Sequence, residues 1–236
     1  KGPRLPLVLI PTTAGTGSEV TPISIITVGE EEKKGVSSAL ILPDLAILDP
    51  DLTLGLPAST TAATGIDAMV HAIEAYTSKS TNNNPISKTL AIEALRLMGT
   101  WIEKAVHTGE NMEARSNMLL GSMLAGQAFA NSPVAAVHAL AYPIGGHFKV
   151  PHGLSNAMLL PTITEFSIEH AKNRYADCSR AGNFSLPDVN DDIACEKLIK
   201  GLYKLNNDFD VPSMRTFGID EKNFEGELEN MATDAE

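Results

Sequence analysis

The chain has 236 residues, enough for one or two domains with a sizeable core, and 43% of them are hydrophobic, which excludes a disordered polymer. A net charge of −11 and an aromatic content of 5% argue against a basic nucleic-acid face and against a stacking platform for single strands. Two lone cysteines, Cys178 and Cys195, without CxxC spacing fit a reducing compartment; with no signal-peptide pattern and no membrane-length apolar run, a cytoplasmic protein is expected. In chain order, "LPLVLI" and "ISIITV" are short, β-branched and apolar, and read as buried strands at residues 5–10 and 23–28. The polar, glycine-containing loop "PTTAGTGSE" lies between them, "GEEEKKG" reads as an exposed turn, and "LAILD" reads as a third strand. From Pro57 onward the apolar period changes to three and four, as in "ISKTLAIEALRLMGTWIEKAV", "NMEARSNMLLGSMLAGQAFA" and "DDIACEKLIKGLYKLNNDF", with breaks at "STNNNP" and "HTGEN". The expected class is α+β: a strand-rich piece over residues 1–56, then an all-helical domain over residues 57–236. Three strands are too few for an independent sheet, so the chain reads as beginning inside a domain.

"GIDAMVHAIE" places Asp67 four residues before His71, so a helix carries both on one face. Such a pair is either a local Asp–His hydrogen bond or two metal ligands. "HALAYPIGGHFKVPHG" gathers His138, His147 and His152, half of the six histidines, in sixteen residues. There His138 ends a helix-like run, Pro143, Gly145 and Gly146 break it, and His152 opens the next. One carboxylate and three imidazoles, Asp67, His71, His138 and His152, suit a borderline divalent ion such as Fe²⁺ or Zn²⁺. The competing reading is a set of satisfied core or surface histidines. Glu74, three residues after His71, is either an acceptor that orients His71 or an exposed glutamate.

"PTTAGTGSEVT", "LPDLAILDPDLT", "TAATGIDAMVHAIEAYTS" and "HALAYPIGGHFKVPHGLSNAMLLP" resemble signatures of the iron-containing, group III alcohol dehydrogenases, from about Leu7 to about Phe166. The resemblance implies a dehydroquinate synthase-like scaffold: the C-terminal part of a dinucleotide-binding α/β domain over 1–56, and a metal-binding helical domain over 57–236. It implies Asp67, His71, His138 and His152 as ligands of Fe²⁺ or Zn²⁺. It would also place Thr12, Thr13, Thr21, Lys33 (with Lys34 adjacent), Leu52 and Gly55 at NAD or NADP. Unaided, "PTTAGTGSE" is equally a plain turn and Lys33 a solvated turn lysine. Phe129 would border the substrate pocket, where its alternative is an ordinary core aromatic. Many family members carry a further histidine, discussed as a proton relay, where this chain has Tyr142; His147 reads as a solvated loop histidine.

The implied reaction moves a hydride between a small alcohol or aldehyde and NAD(P), in a homo-oligomer that has no nucleic-acid or membrane partner. Two alternatives stand beside it: a reductase on the same scaffold, such as a maleylacetate reductase, and a catalytically incompetent metal-binding fragment. The family's pyrophosphate-cradling "GGGS"-like loop has no counterpart here, and the chain stops at "MATDAE". An internal fragment of a longer enzyme, inactive alone, is the expectation.

Overall fold

The computed structural model describes residues 4–28 and 32–235, with the side chains of Thr27, Glu32 and Lys33 outside the described set. Four strands come first: β1 (Val8–Leu9), β2 (Ile23–Val28), β3 (Glu32–Ser37) and β4 (Leu45–Ala46). β1 and β4 pair in parallel, Val8 opposite Leu45, while β2 and β3 form an antiparallel hairpin from Ile23 opposite Ser37 to Val28 opposite Glu32. The sequence pattern of "GEEEKKG" as a turn is therefore corrected in part. Glu32 to Gly35 continue as strand, held by the ladder to β2, and residues 29–31 lie outside the described set.

The expectation of buried strands is also corrected. Val8, Ile10, Leu45 and Ile47 around the parallel pair and Ile25, Ile26 and Val28 of the hairpin are all exposed. β-branched apolar runs are what a sheet covered on both faces selects. Among the described residues each of these strands has a single neighbour, and in the hairpin Ile25 and Ile26, on opposite faces, are both exposed.

Helices make up the rest: α1 (Ala58–Thr77), α2 (Pro85–His107), α3 (Met112–Asn131), α4 (Ala136–Phe148), α5 (His152–Ala181), α6 (Asp191–Asp208), α7 (Met214–Phe217) and α8 (Glu221–Asp234). Their starts follow local chemistry. Asn84 accepts from the backbone N–H groups of Ile86 and Ser87 while the Ser87 hydroxyl accepts from the Asn84 N–H, with Pro85 in the first helical position. Asn111, Asn190 and Asp220 each accept from one backbone N–H in the first turn of α3, α6 and α8. α1 is the central helix, packed on α2, α3 and α5. Ile66, Met69 and Ile73 of α1, Leu95, Met98 and Ile102 of α2, Met118 of α3 and Leu198 and Leu202 of α6 are sealed in one core. No helix among the described residues is long and apolar enough to cross a membrane.

Candidate metal centre

α1 is buried nearly all round from Gly65 to Ala75, so its polar residues are held among apolar ones. Asp67 and His71 are 2% and 5% exposed. Burying an unpaired carboxylate costs several kcal/mol or more, so partners are required. They come from α4 and α5. His138 Nε2 lies 2.9 Å from His71 Nε2 and 3.6 Å from Asp67 Oδ1. His152 Nε2 lies 3.8 Å from Asp67 Oδ1, and its side chain is 40% exposed, at the rim of the cluster. Asp67, His71 and His138 form a buried triad whose ligand atoms all lie within 4.8 Å of one another. The structure thus brings together the four residues grouped from sequence, three as a sealed core and His152 as its outward member.

The sequence placed His138 at the end of a helix; it stands instead in the first turn of α4, which runs on through Pro143. The break falls earlier, after α3 ends at Asn131. α4 has no capping side chain of its own. Glu74 supplies one from α1: Oε1 accepts from the Val137 N–H at 2.7 Å and Oε2 from the Ala135 N–H at 2.9 Å. The same carboxylate accepts from His138 Nδ1 at 2.7 Å. Glu74, 4% exposed, is therefore no surface glutamate, and it orients His138 rather than His71. With Nδ1–H committed to Glu74, the His138 Nε2 is left facing the other ligand atoms.

The charges are strongly coupled. Burial alone would raise Asp67, but the imidazoles of His71, His138 and His152 hold it well below the carboxylate range. Burial pushes His71 down to about 3, with His138 and His152 adding to the shift and Asp67 opposing it. Burial also opposes a charged His138, yet the neighbouring carboxylates of Asp67 and of Glu74, the latter hydrogen-bonded to its Nδ1, carry it up to about 9. A proton is thus favoured where two imidazole nitrogens face each other beside a carboxylate. A divalent cation meets the same lone pairs, so the donor set fits a nitrogen- and oxygen-ligated metal ion.

A cleft of about 500 Å³ opens onto this cluster. Phe129 of α3 lines it and stacks on His71, centroids 4.5 Å apart, which places it between the two sequence alternatives: against the cleft and half-buried. Tyr142 stacks on His152, centroids 5.3 Å apart and rings 11° from parallel. Burial, then Asp67 and Glu74, raise the Tyr142 phenol. His147 lies on α4 and pairs with Asp234 at 3.2 Å and Glu227 at 3.5 Å, away from the cluster's ligand atoms and not in a solvated loop.

The loop before β2 forms the other wall, through Thr16, Ser18 and Thr21. It is seated by two glycines. Gly17 has φ +59°, and a Cβ there would stand 2.6 Å from Gly126 Cα of α3; a Cβ on Gly126 would stand 2.6 Å from the Gly17 carbonyl. Of the residues expected at a dinucleotide, Thr21 lines the cleft. Thr12, Thr13, Leu52 and Gly55 do not, and Leu52 and Gly55 are exposed. Lys33 sits in β3 with its side chain outside the described set.

Sequence reasoning missed Asn156, which is fully buried with Nδ2 2.5 Å from Asp67 Oδ1. Its signal was present: "HGLSN" sets His152 and Asn156 at the same four-residue spacing as Asp67 and His71.

A family model described as "Fe-containing alcohol dehydrogenase family, C-terminal" matches residues 61–235. The chain belongs to the iron-containing alcohol dehydrogenase family. A second model, "Iron-containing alcohol dehydrogenase", matches residues 1–50. The chain is 45% identical to long-chain-alcohol dehydrogenase 1 of Geobacillus thermodenitrificans, over 98% of this chain and 57% of that protein. A solved 1,3-propanediol oxidoreductase superposes with TM-score 0.91 at 37% identity, covering 100% of this chain and 60% of its own. A sulfoacetaldehyde reductase from Bifidobacterium kashiwanohense, solved in complex with NAD⁺, superposes with TM-score 0.84 at 28% identity, covering 98% and 58%. The chain therefore spans less than two thirds of the length of the relatives it matches, and it has the family's fold with its helical C-terminal domain.

Proposed function

We propose that this chain carries the metal-binding, substrate-facing part of an NAD(P)-dependent alcohol dehydrogenase. Residues 1–56 would belong to its dinucleotide-binding domain and residues 57–236 to its metal-binding domain. The observation that carries the reading is the convergence of one carboxylate and three imidazoles, with His71, His138 and His152 lining the cleft and Asp67 buried behind them. Asp67, His71, His138 and His152 would hold Fe²⁺ or Zn²⁺. When bound, the ion supplies Lewis acidity toward the alcohol oxygen and the nicotinamide supplies the hydride acceptor. The chain's own contribution is placement. Glu74 fixes the His138 ring, so that Nε2 points into the cluster. Phe129, Val134 and Tyr142 wall the cleft and keep water from the carbinol carbon. Thr16, Ser18 and Thr21 form a hydroxyl-bearing rim that would offer hydrogen bonds to the cofactor. With no charged side chain lining the cleft among the described residues, apart from the histidines of the cluster, an uncharged aliphatic alcohol or aldehyde fits better than an acidic one.

Thr12, Thr13, Thr21, Lys33, Leu52 and Gly55 enter this reading through the family likeness. The complete ligand set weighs against a metal-free reductase on the same scaffold. The test uses full-length protein purified without oxygen, with elemental analysis beside an alcohol-dependent assay of NAD(P)⁺ reduction. Asp67→Ala is expected to lose both stoichiometric metal and turnover. Metal content unchanged by Asp67→Ala would sink the ligand assignment.

A further inference from the structure

We propose that Asn156 is a positioning residue of this metal centre, one that holds the Asp67 carboxylate in register with the imidazoles. The inference rests on the metal-binding reading above. α1 and α5 pack against each other, and each offers a pair of polar residues one turn apart, Asp67 with His71 and His152 with Asn156. Three of these four bring ligand atoms. The fourth brings an amide, and that amide reaches the middle of the group. Nδ2 lies 2.5 Å from Asp67 Oδ1, 3.2 Å from His138 Nε2 and 3.3 Å from His152 Nε2.

The orientation of the amide follows from these neighbours. An oxygen placed there would face a carboxylate at hydrogen-bond distance and be repelled, so the nitrogen points inward. Oδ1 is left buried without a hydrogen-bond partner. An unsatisfied buried carbonyl costs about 1–3 kcal/mol, so the inward contacts outweigh a real penalty.

Lone-pair counting says which contact matters for an ion. An imidazole Nε2 has one lone pair and cannot serve both an N–H donor and a metal. A carboxylate oxygen has two, so Asp67 can accept from Asn156 and still coordinate. The bond that persists in the loaded centre is therefore the one to Asp67. It fixes the direction of a carboxylate that sits 2% exposed among the three rings. Partners of this kind change metal affinity by about 10–100-fold when removed.

The experiment compares wild type with Asn156→Leu, which keeps the branched shape and removes the donor, in full-length protein. Co²⁺ is the probe, its affinity read by competition with a chelator and its coordination by the visible d–d bands. The expected result is Co²⁺ binding weakened about 10–100-fold with displaced d–d bands, while thermal unfolding stays cooperative. A merely structural role would lower the melting temperature and leave the bands unmoved. Equal or tighter Co²⁺ binding in the variant would show that the amide competes with the ion, and would overturn the assignment. A wild type that binds no Co²⁺ would instead remove the metal reading itself. If the variant fails to fold, the Zn²⁺-loaded wild-type crystal structure decides. Asn156 Nδ2 within about 3.2 Å of Asp67 supports the proposal, and an amide turned away refutes it.

Discussion

Ile66, Met69 and Ile73 of α1 are the same kind of residue as Ile25, Ile26 and Val28 of β2, yet the first three are 0–1% exposed and the second three 44–48%. The helix meets its partners within this chain, on α2, α3 and α5, whereas the hairpin meets almost none among the described residues. The difference teaches where the chain's stability resides. Helix packing supplies a core that seals Asp67, His71 and His138, and the strands contribute one wall of the cleft without a core of their own. The contrast matches the coverage of the relatives, of which this chain spans 57–60%.

The largest expected effect tests the helical side. Met98 is fully buried, and the Gly121 backbone of α3 approaches its side chain so closely that a Cβ there would stand 2.7 Å from Met98 Cγ. Met98→Ala is expected to cost about 2–5 kcal/mol by denaturant titration, because tightly apposed helices cannot collapse onto the cavity. A loss below about 1 kcal/mol would mean that α2 and α3 are less tightly joined than this packing shows.

The fold and the site were legible to different depths. Helical periodicity marked α2, α3 and α6 directly, because each buries one face and shows another. The Asp67–His71 spacing marked the site, though not its role, because polar groups in a sealed apolar helix are rare unless partnered. The strand burial was misread because β-branched composition reports the surroundings a strand is suited to, and here those surroundings are not among the described residues. The roles of Glu74 and Asn156 depend on where α4 and α5 land against α1, sixty and ninety residues away in sequence. Spacing within one helix points to neither partner. His138 was placed at the wrong end of its helix because Pro143 and the paired glycines looked like a stop. The helix accommodates them, and its true start is set by a carboxylate from another element.

The next effect sharpens that last point. Glu74→Gln keeps the size of the side chain and removes its charge. It weakens the cap on α4 and the hold on His138 together, since one carboxylate serves both. The expected outcome is a stability loss of about 1–3 kcal/mol. Metal affinity is expected to fall about 10–100-fold, measured by chelator competition. If only stability falls, Glu74 acts as a helix cap and the ring of His138 is oriented by something else.

The smallest effect tests the strand side, and a surprise there would do the most damage to the comparison. Ile26 lies in the middle of β2 opposite Lys34, is 48% exposed, and has no place in the apolar clusters of the core. Thr retains the β-branch that the strand backbone favours and exchanges one apolar terminus for a hydroxyl that water can reach. If the open faces persist in solution, Ile26→Thr in the 236-residue chain should shift unfolding by no more than about 0.5 kcal/mol. It should also reduce self-association, because exposed apolar side chains beside an unpaired strand edge favour association with another copy. Light scattering beside thermal melting measures both. A stability loss above about 1 kcal/mol would show that something covers β2 in solution, and the hairpin would then have to be counted with the helices as part of one core.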